Sequence, residues 1–90
     1  MGVNNQYITV LMPVYNGEKF LDEAIRSILC QTFRDFEFLI IDDYSNDKSC
    51  EIISSFSDER IKLIKNNKNL GQAITMNKGI NLAKGKYIAR

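Results

Sequence analysis

The chain has 90 residues and a mass of 10.3 kDa, for which surface scaling gives roughly 15,000 Å² of accessible area unfolded and about 5,400 Å² folded. One small core fits that size; two domains do not. With 44% hydrophobic and 26% charged residues it sits in the globular range, and its apolar runs of about five residues are too short to cross a membrane. Residues 1–9 lack the basic and apolar regions of a secretory signal, so a cytoplasmic location is expected, with any membrane association left to regions outside this sequence.

The net charge of +1 conceals a split. All eleven acids and four bases lie in residues 1–59, while residues 60–90 hold eight bases and no acid. The bases from Arg60 to Arg90 are scattered and carry no interleaved aromatic platform, so no nucleic-acid partner is expected. Cys30 and Cys50 match no zinc or redox spacing and read as small apolar thiols on helix faces in a reducing compartment. Histidine is absent, which removes the usual general base and leaves polar chemistry to carboxylates, hydroxyls, amides and Lys.

In chain order, Tyr7 to Val14 is a near-continuous apolar, β-branched run, the pattern of a strand covered on both faces, and Pro13 marks its end. After a turn at Asn16 and Gly17, the apolar residues Phe20, Leu21, Ala24, Ile25, Ile28 and Leu29 fall at helical spacing, with Asn16 or Gly17 near the cap. Phe36 to Ile41 forms a second buried strand that ends in Asp42 and Asp43. Tyr44 to Asp47 is turn chemistry, with Asp47 the expected cap of a helix carrying Cys50, Ile52, Ile53 and Phe56. A third strand runs from Ile61 to Ile64, followed by an Asn-rich loop from Asn66 to Asn69. Gly71 leads into a third helix with Ala73, Met76, Ile80 and Ala83 on one face, and close packing on the sheet is expected at Gly79. A Gly turn at Lys84 to Lys86 precedes a fourth strand, Tyr87 to Ala89.

Alternating strands and helices predict a parallel sheet with right-handed crossovers. In such sheets ligands bind beyond the carboxyl ends of the strands, where the strand order reverses. For the order 3-2-1-4 that crevice involves Pro13 to Asn16 and Asp42 to Ser45. A dinucleotide fingerprint is excluded because the first turn, Val14-Tyr15-Asn16-Gly17-Glu18, has one Gly beside a bulky Tyr, and no P-loop motif is present. A phosphoacceptor receiver is disfavoured because its acids would follow the first and third strands, which here end in Pro-Val-Tyr-Asn and Lys-Asn-Asn.

Five pieces in order carry a more specific signal: Pro13-Val14-Tyr15-Asn16, Ser27-Ile28-Leu29-Cys30-Gln31-Thr32, Ile41-Asp42-Asp43-Tyr44-Ser45-Asn46-Asp47, Asn69-Leu70-Gly71, and Ala83-Lys84-Gly85-Lys86-Tyr87-Ile88. Together, from Ile8 to Arg90, the chain resembles the inverting family 2 glycosyltransferases of the GT-A fold. The resemblance implies a three-layer α/β/α domain with a parallel Rossmann-like sheet, residues 1–90 supplying its N-terminal nucleotide-binding half and stopping before the D-x-D metal motif. It implies transfer of a sugar from a nucleoside diphosphate sugar, UDP above all, to a hydroxyl of a saccharide or lipid-linked acceptor. It also implies a divalent cation, Mg or Mn, held by no residue of this chain.

The nucleotide-binding residues so implied are Pro13, Val14, Tyr15, Asn16, Asp42, Asp43 and Gly71, with no catalytic residue among the ninety. Asp43 is assigned the base or a ribose hydroxyl, Tyr15 packing on the nucleoside, Pro13 a free carbonyl at the strand end, and Gly71 with its neighbours the far side of the base. Asp42 is given no fixed role beyond the loop or a neighbouring basic group. Met76 stands where many relatives have Arg, which removes a basic contact expected there. The alternative from another class is a non-catalytic nucleotide-binding or protein-interaction domain complete at ninety residues. A short fourth strand with an open edge further predicts dimerisation or strand exchange along that edge, or marginal stability.

Overall fold

A computed structural model describes residues 8–30, 35–83 and 87–89. Tyr7, the Gln31-Thr32 end of the second motif, the Lys84–Lys86 turn and Arg90 lie outside the described residues. The elements are β1 (Ile8–Val14), α1 (Leu21–Leu29), β2 (Phe36–Asp42), α2 (Ser49–Ser54), β3 (Ile61–Lys65), α3 (Gln72–Leu82) and β4 (Tyr87–Ala89). All strand pairs are parallel, in the order β3-β2-β1-β4. The chain steps outward from β1 through β2 to β3 and then returns past β1 to β4. Crossovers of one hand must therefore put α1 and α2 on one face of the sheet and α3 on the other.

Strand alternation divides the core accordingly. Val10, Val14, Phe36, Phe38 and Ile40 pack with Leu21, Ile25 and Ile53 beneath α1 and α2. Leu11, Leu39 and Ile41 pack with Met76 beneath α3. Every residue of β2 is buried, as its central position requires, and Thr9 Oγ1 satisfies the buried Glu37 Oε1 at 2.8 Å. At the opposite end from the site, the Arg60 guanidinium stacks 4.6 Å from the Phe36 ring centre and pairs with Asp58 at 2.6 Å, which holds the Asp58 carboxyl down at about 2.

Three local expectations need correction. No side chain caps α1; the carbonyl of Gly17 accepts the N–H groups of Phe20 and Leu21 at 3.1 and 3.0 Å, and Asn16 is engaged elsewhere. The inner face of α3 is Thr75, Met76 and Gly79, whereas Ala73 and Ile80 are exposed. The physical reason is close approach: a Cβ on Gly79 would lie 2.4 Å from Leu11 Cδ1 and 2.9 Å from Ile41 Cδ1, so the helix seats on its smallest residue. Cys30 is exposed at the end of α1 and only Cys50 is partly buried, both free.

Candidate functional site

The carboxyl ends of β1 and β2 open into a cleft of about 390 Å³ lined by Pro13, Val14, Tyr15, Phe20, Asp43, Asn69, Gly71, Gln72 and Thr75. Parity explains which acid faces it. Asp43 continues the side of β2 that carries Leu39 and Ile41 and looks toward α3, while Asp42 continues the side of Phe38 and Ile40 and looks toward α1 and α2. The pairing of β1 and β2 extends one step past the strands, with Asp43 N–H donating to the Val14 carbonyl at 2.8 Å. Asp43 is thereby fixed beside Tyr15.

Asp43 is 4% exposed, and its carboxylate is surrounded by donors. Oδ1 accepts from Asn66 Nδ2 and Leu70 N–H, both at 2.8 Å. Oδ2 accepts from Gly71 N–H at 2.9 Å and Asn69 Nδ2 at 3.1 Å. Burial pushes the carboxyl up, but the N–H donors of Leu70, Asn66 and Gly71, together with the Thr75 hydroxyl, outweigh it and hold Asp43 below the usual carboxylate range. Asn66 is itself fixed, its Nδ2 also reaching Thr75 Oγ1 at 3.0 Å and its Oδ1 accepting Lys78 Nζ at 2.7 Å. The 66–71 loop is thus folded around one charge. Gly71 has φ of 89°, a conformation that favours glycine, and it is this geometry that aims its N–H at Asp43.

Asn16 and Asp42 lie behind the cleft rather than in its lining. Asn16, with φ of 52°, donates its N–H to Ser45 Oγ at 2.8 Å and accepts Asn46 N–H on Oδ1 at 2.9 Å. Gly17 N–H donates to Ser49 Oγ at 2.9 Å, and Glu18 N–H to Asp47 Oδ2 at 3.2 Å. Glu18 Oε1 returns the contact by accepting Lys48 N–H at 2.9 Å. Asp42 Oδ2 accepts Ser45 N–H at 2.9 Å. The loops after β1 and β2 are therefore latched to each other, and the latch sets the backbone from which Tyr15 projects.

Asp47 also accepts from the Ser49 hydroxyl and N–H. These bonds, the hydroxyl's foremost, hold its carboxyl down. The expected Asp47 cap needs correction: the N-cap of α2 is Lys48, which makes no side-chain cap bond, and Asp47 binds the first helical residue from one position earlier. Asp42 Oδ1 is buried without a hydrogen-bond partner among the described residues; burial and then the Asp42 charge push the nearby Cys50 thiol up.

The sequence names no site role for Phe20, Thr75 or Asn66, and reaches Gln72 only as a neighbour of Gly71. Phe20 read as part of the buried stripe of α1, yet it is 61% exposed and folds over Gly17, its ring 2.9 Å from where a Cβ would stand. Thr75 and Gln72 follow Gly71 in the first turn of α3, so a helix wheel anchored on Gly79 identifies Thr75 as inward-facing.

The described residues contain no group of three or more His, Cys, Asp or Glu placed to hold a metal ion. Both Asp43 oxygens already hold two N–H donors, a setting suited to hydrogen bonding and not to a cation. No metal chemistry is assigned to these residues.

A parallel sheet with a polar cleft at its strand ends is the α/β arrangement in which ligands commonly bind. The model of glycosyl transferase family 2 matches residues 9–90, and the chain belongs to that family. It is 48% identical over 86 residues to an uncharacterised glycosyltransferase of Methanocaldococcus jannaschii, covering 91% of this chain and 30% of that protein. It is 36% identical over 87 residues to the Escherichia coli UDP-Glc:alpha-D-GlcNAc-diphosphoundecaprenol beta-1,3-glucosyltransferase, covering 97% and 34%. A mannosyltransferase from Pyrobaculum calidifontis, solved in complex with GDP-Man and Mn2+, superposes with a TM-score of 0.82 at 22% identity, covering 90% of this chain and 25% of that one. The chain thus spans about a third of the length of these two curated relatives. Family membership does not favour the reading as a non-catalytic interaction domain. No helix among the described residues is long and apolar enough to cross a membrane.

Proposed function

We propose that this chain forms the nucleotide-binding half of an inverting glycosyltransferase that takes a sugar from UDP-sugar and transfers it to a hydroxyl of a saccharide or lipid-linked acceptor. The observation that carries the reading is Asp43: a buried, ionised carboxylate aimed from a strand end into a cleft wide enough for a nucleoside. An acceptor-only group in that position selects a base that presents an N–H donor, as uracil does through its imide. Tyr15, 54% exposed at the cleft's edge, offers its ring for stacking on the base or ribose. Gly71, Gln72 and Thr75 form the opposite wall. The names of relatives that use UDP-Glc or bind GDP-Man support a nucleotide sugar as donor.

The diphosphate leaving group requires a cation to stabilise its developing charge. We assign Mg or Mn to ligands outside the described residues, together with the carboxylate base that inversion demands. The unpaired Cys30 and Cys50 fit a reducing, cytoplasmic setting.

Calorimetric titration of the full-length protein with UDP and CDP tests the base assignment. Cytosine replaces the imide N–H with an acceptor nitrogen that would face the carboxylate. UDP is expected to bind at least about tenfold more tightly, the range for an unpaired buried charge-assisted bond. Equal affinities would overturn the assignment of Asp43 to the base.

A further inference from the structure

The filling of the Asp43 carboxylate has a consequence for how any base reaches it. A carboxylate offers about four lone-pair sites, and four N–H groups occupy them: Asn66 and Leu70 on Oδ1, Gly71 and Asn69 on Oδ2. An imide N–H can therefore bind Asp43 only by taking the place of one of these donors. The Leu70 and Gly71 donors are backbone groups in a loop held by Asp43 itself. Asn66 is 4% exposed and is pinned by two further bonds, to Thr75 and Lys78, and the Thr75 hydroxyl, which also acts on the carboxylate, is fully buried.

Asn69 alone is both exposed and free to turn about its side-chain torsions. Its bonds, 3.1 Å to Asp43 Oδ2 and 3.2 Å to the Asp43 carbonyl, are the longest of the set. Its orientation is fixed by chemistry, since an acceptor-only carboxylate must face the NH2 end of the amide. It also lines the cleft.

We propose that the Asn69 side-chain amide is an internal competitor for the base, holding the Oδ2 site with the same N–H chemistry that an imide presents and yielding it when the base binds. The inference rests on the nucleotide reading above. Asn69 is then a specificity-determining residue. A ligand that can replace its N–H on the carboxylate displaces it without leaving the charge short of a donor. A ligand without that N–H must either leave Asn69 in place, which blocks the site, or strand the charge.

The test compares UDP with N3-methyl-UDP, whose imide N–H is gone, on the full-length protein and its Asn69→Ala variant. Wild type is expected to prefer UDP. Asn69→Ala is expected to gain roughly three- to tenfold in UDP affinity, the span of one net hydrogen bond, with no comparable gain for N3-methyl-UDP.

A second measurement does not depend on the variant. In the ¹⁵N-labelled wild type, saturation with UDP should accelerate water exchange of the Asn69 side-chain NH2 at least about tenfold while the Leu70 and Gly71 amides stay protected. A wild type that discriminates the two ligands while its Asn69 amide remains protected overturns the competitor role and leaves the nucleotide reading standing. The same holds if Asn69→Ala loses UDP affinity with the Leu70 and Gly71 amides intact. A wild type that binds both ligands equally overturns the competitor role together with the assignment of Asp43 to the base.

Discussion

Replacing Asp43 with Asn keeps the shape of the side chain and removes its charge, so the consequences can be worked from the donors around it. The amide has one carbonyl oxygen, which can retain two of the four N–H partners. Its NH2 must then face the other two, either Asn66 and Leu70 or Asn69 and Gly71. Two charge-assisted bonds become donor-against-donor contacts. At about 1.5–3 kcal/mol each the upper bound is ~6 kcal/mol, and relaxation of the exposed Asn69 toward water lowers the expected loss to about 2–4 kcal/mol.

Urea unfolding of wild type and Asp43→Asn at pH 7 measures this directly. The pH dependence supplies an internal control. Because the folded Asp43 carboxyl is held below its unfolded value, its stabilisation is fully present above the unfolded pKa and is lost as pH falls through the folded one. The gap between wild type and variant should therefore be widest at neutral pH and close as Asp43 itself becomes protonated in acid. A gap under about 0.5 kcal/mol at pH 7, the ordinary range for a surface substitution, would refute the account of the 66–71 loop as a structure folded around this charge. So would a gap that does not change with pH.

Gly79→Ala should destabilise by about 1–3 kcal/mol through overpacking despite the better helix propensity of Ala, because the new Cβ meets Leu11 and Ile41 well inside contact distance. Urea midpoints measure it, and a neutral or stabilising result would mean that α3 does not seat on this residue. Asn16→Ala should cost about 1–2 kcal/mol, since it loses the bond to Asn46 N–H and places Ala at a left-handed φ. Asn16→Gly should recover the conformational part of that loss while still lacking the bond. If both variants bind UDP as wild type does, the latch does not position Tyr15.

How far the sequence discloses this site depends on whether each residue's role is local. The strand ends, their order and the placement of an acid pair beside the reversal follow from hydrophobic runs, Pro13 and the alternation of elements. The choice between Asp42 and Asp43 was also available in principle. Counting alternate residues back along Phe36 to Ile41 puts Asp43 with Glu37, Leu39 and Ile41, and the same count along β1 puts Tyr15 with Leu11 and Pro13. What the count cannot supply is which face α3 covers, because that depends on the return of the chain across β1, a property of the whole topology.

The face of α3 was misread for a related reason. A search for large apolar residues at helical spacing selects Ile80 and passes over Thr75, while the close packing expected at Gly79 is what seats the helix on the sheet. The latch between the loops and the fourfold coordination of Asp43 join residues 23 to 32 positions apart, and no local pattern announces such pairs. Their chemical types were nonetheless visible as a run of Asn, Ser, Asp and Gly at both loops. That composition reads as turn propensity when each loop is considered alone. Taken together, the side chains of one loop are the hydrogen-bond partners of the other's backbone, and the polarity of these turns is then accounted for by the cleft they hold in shape.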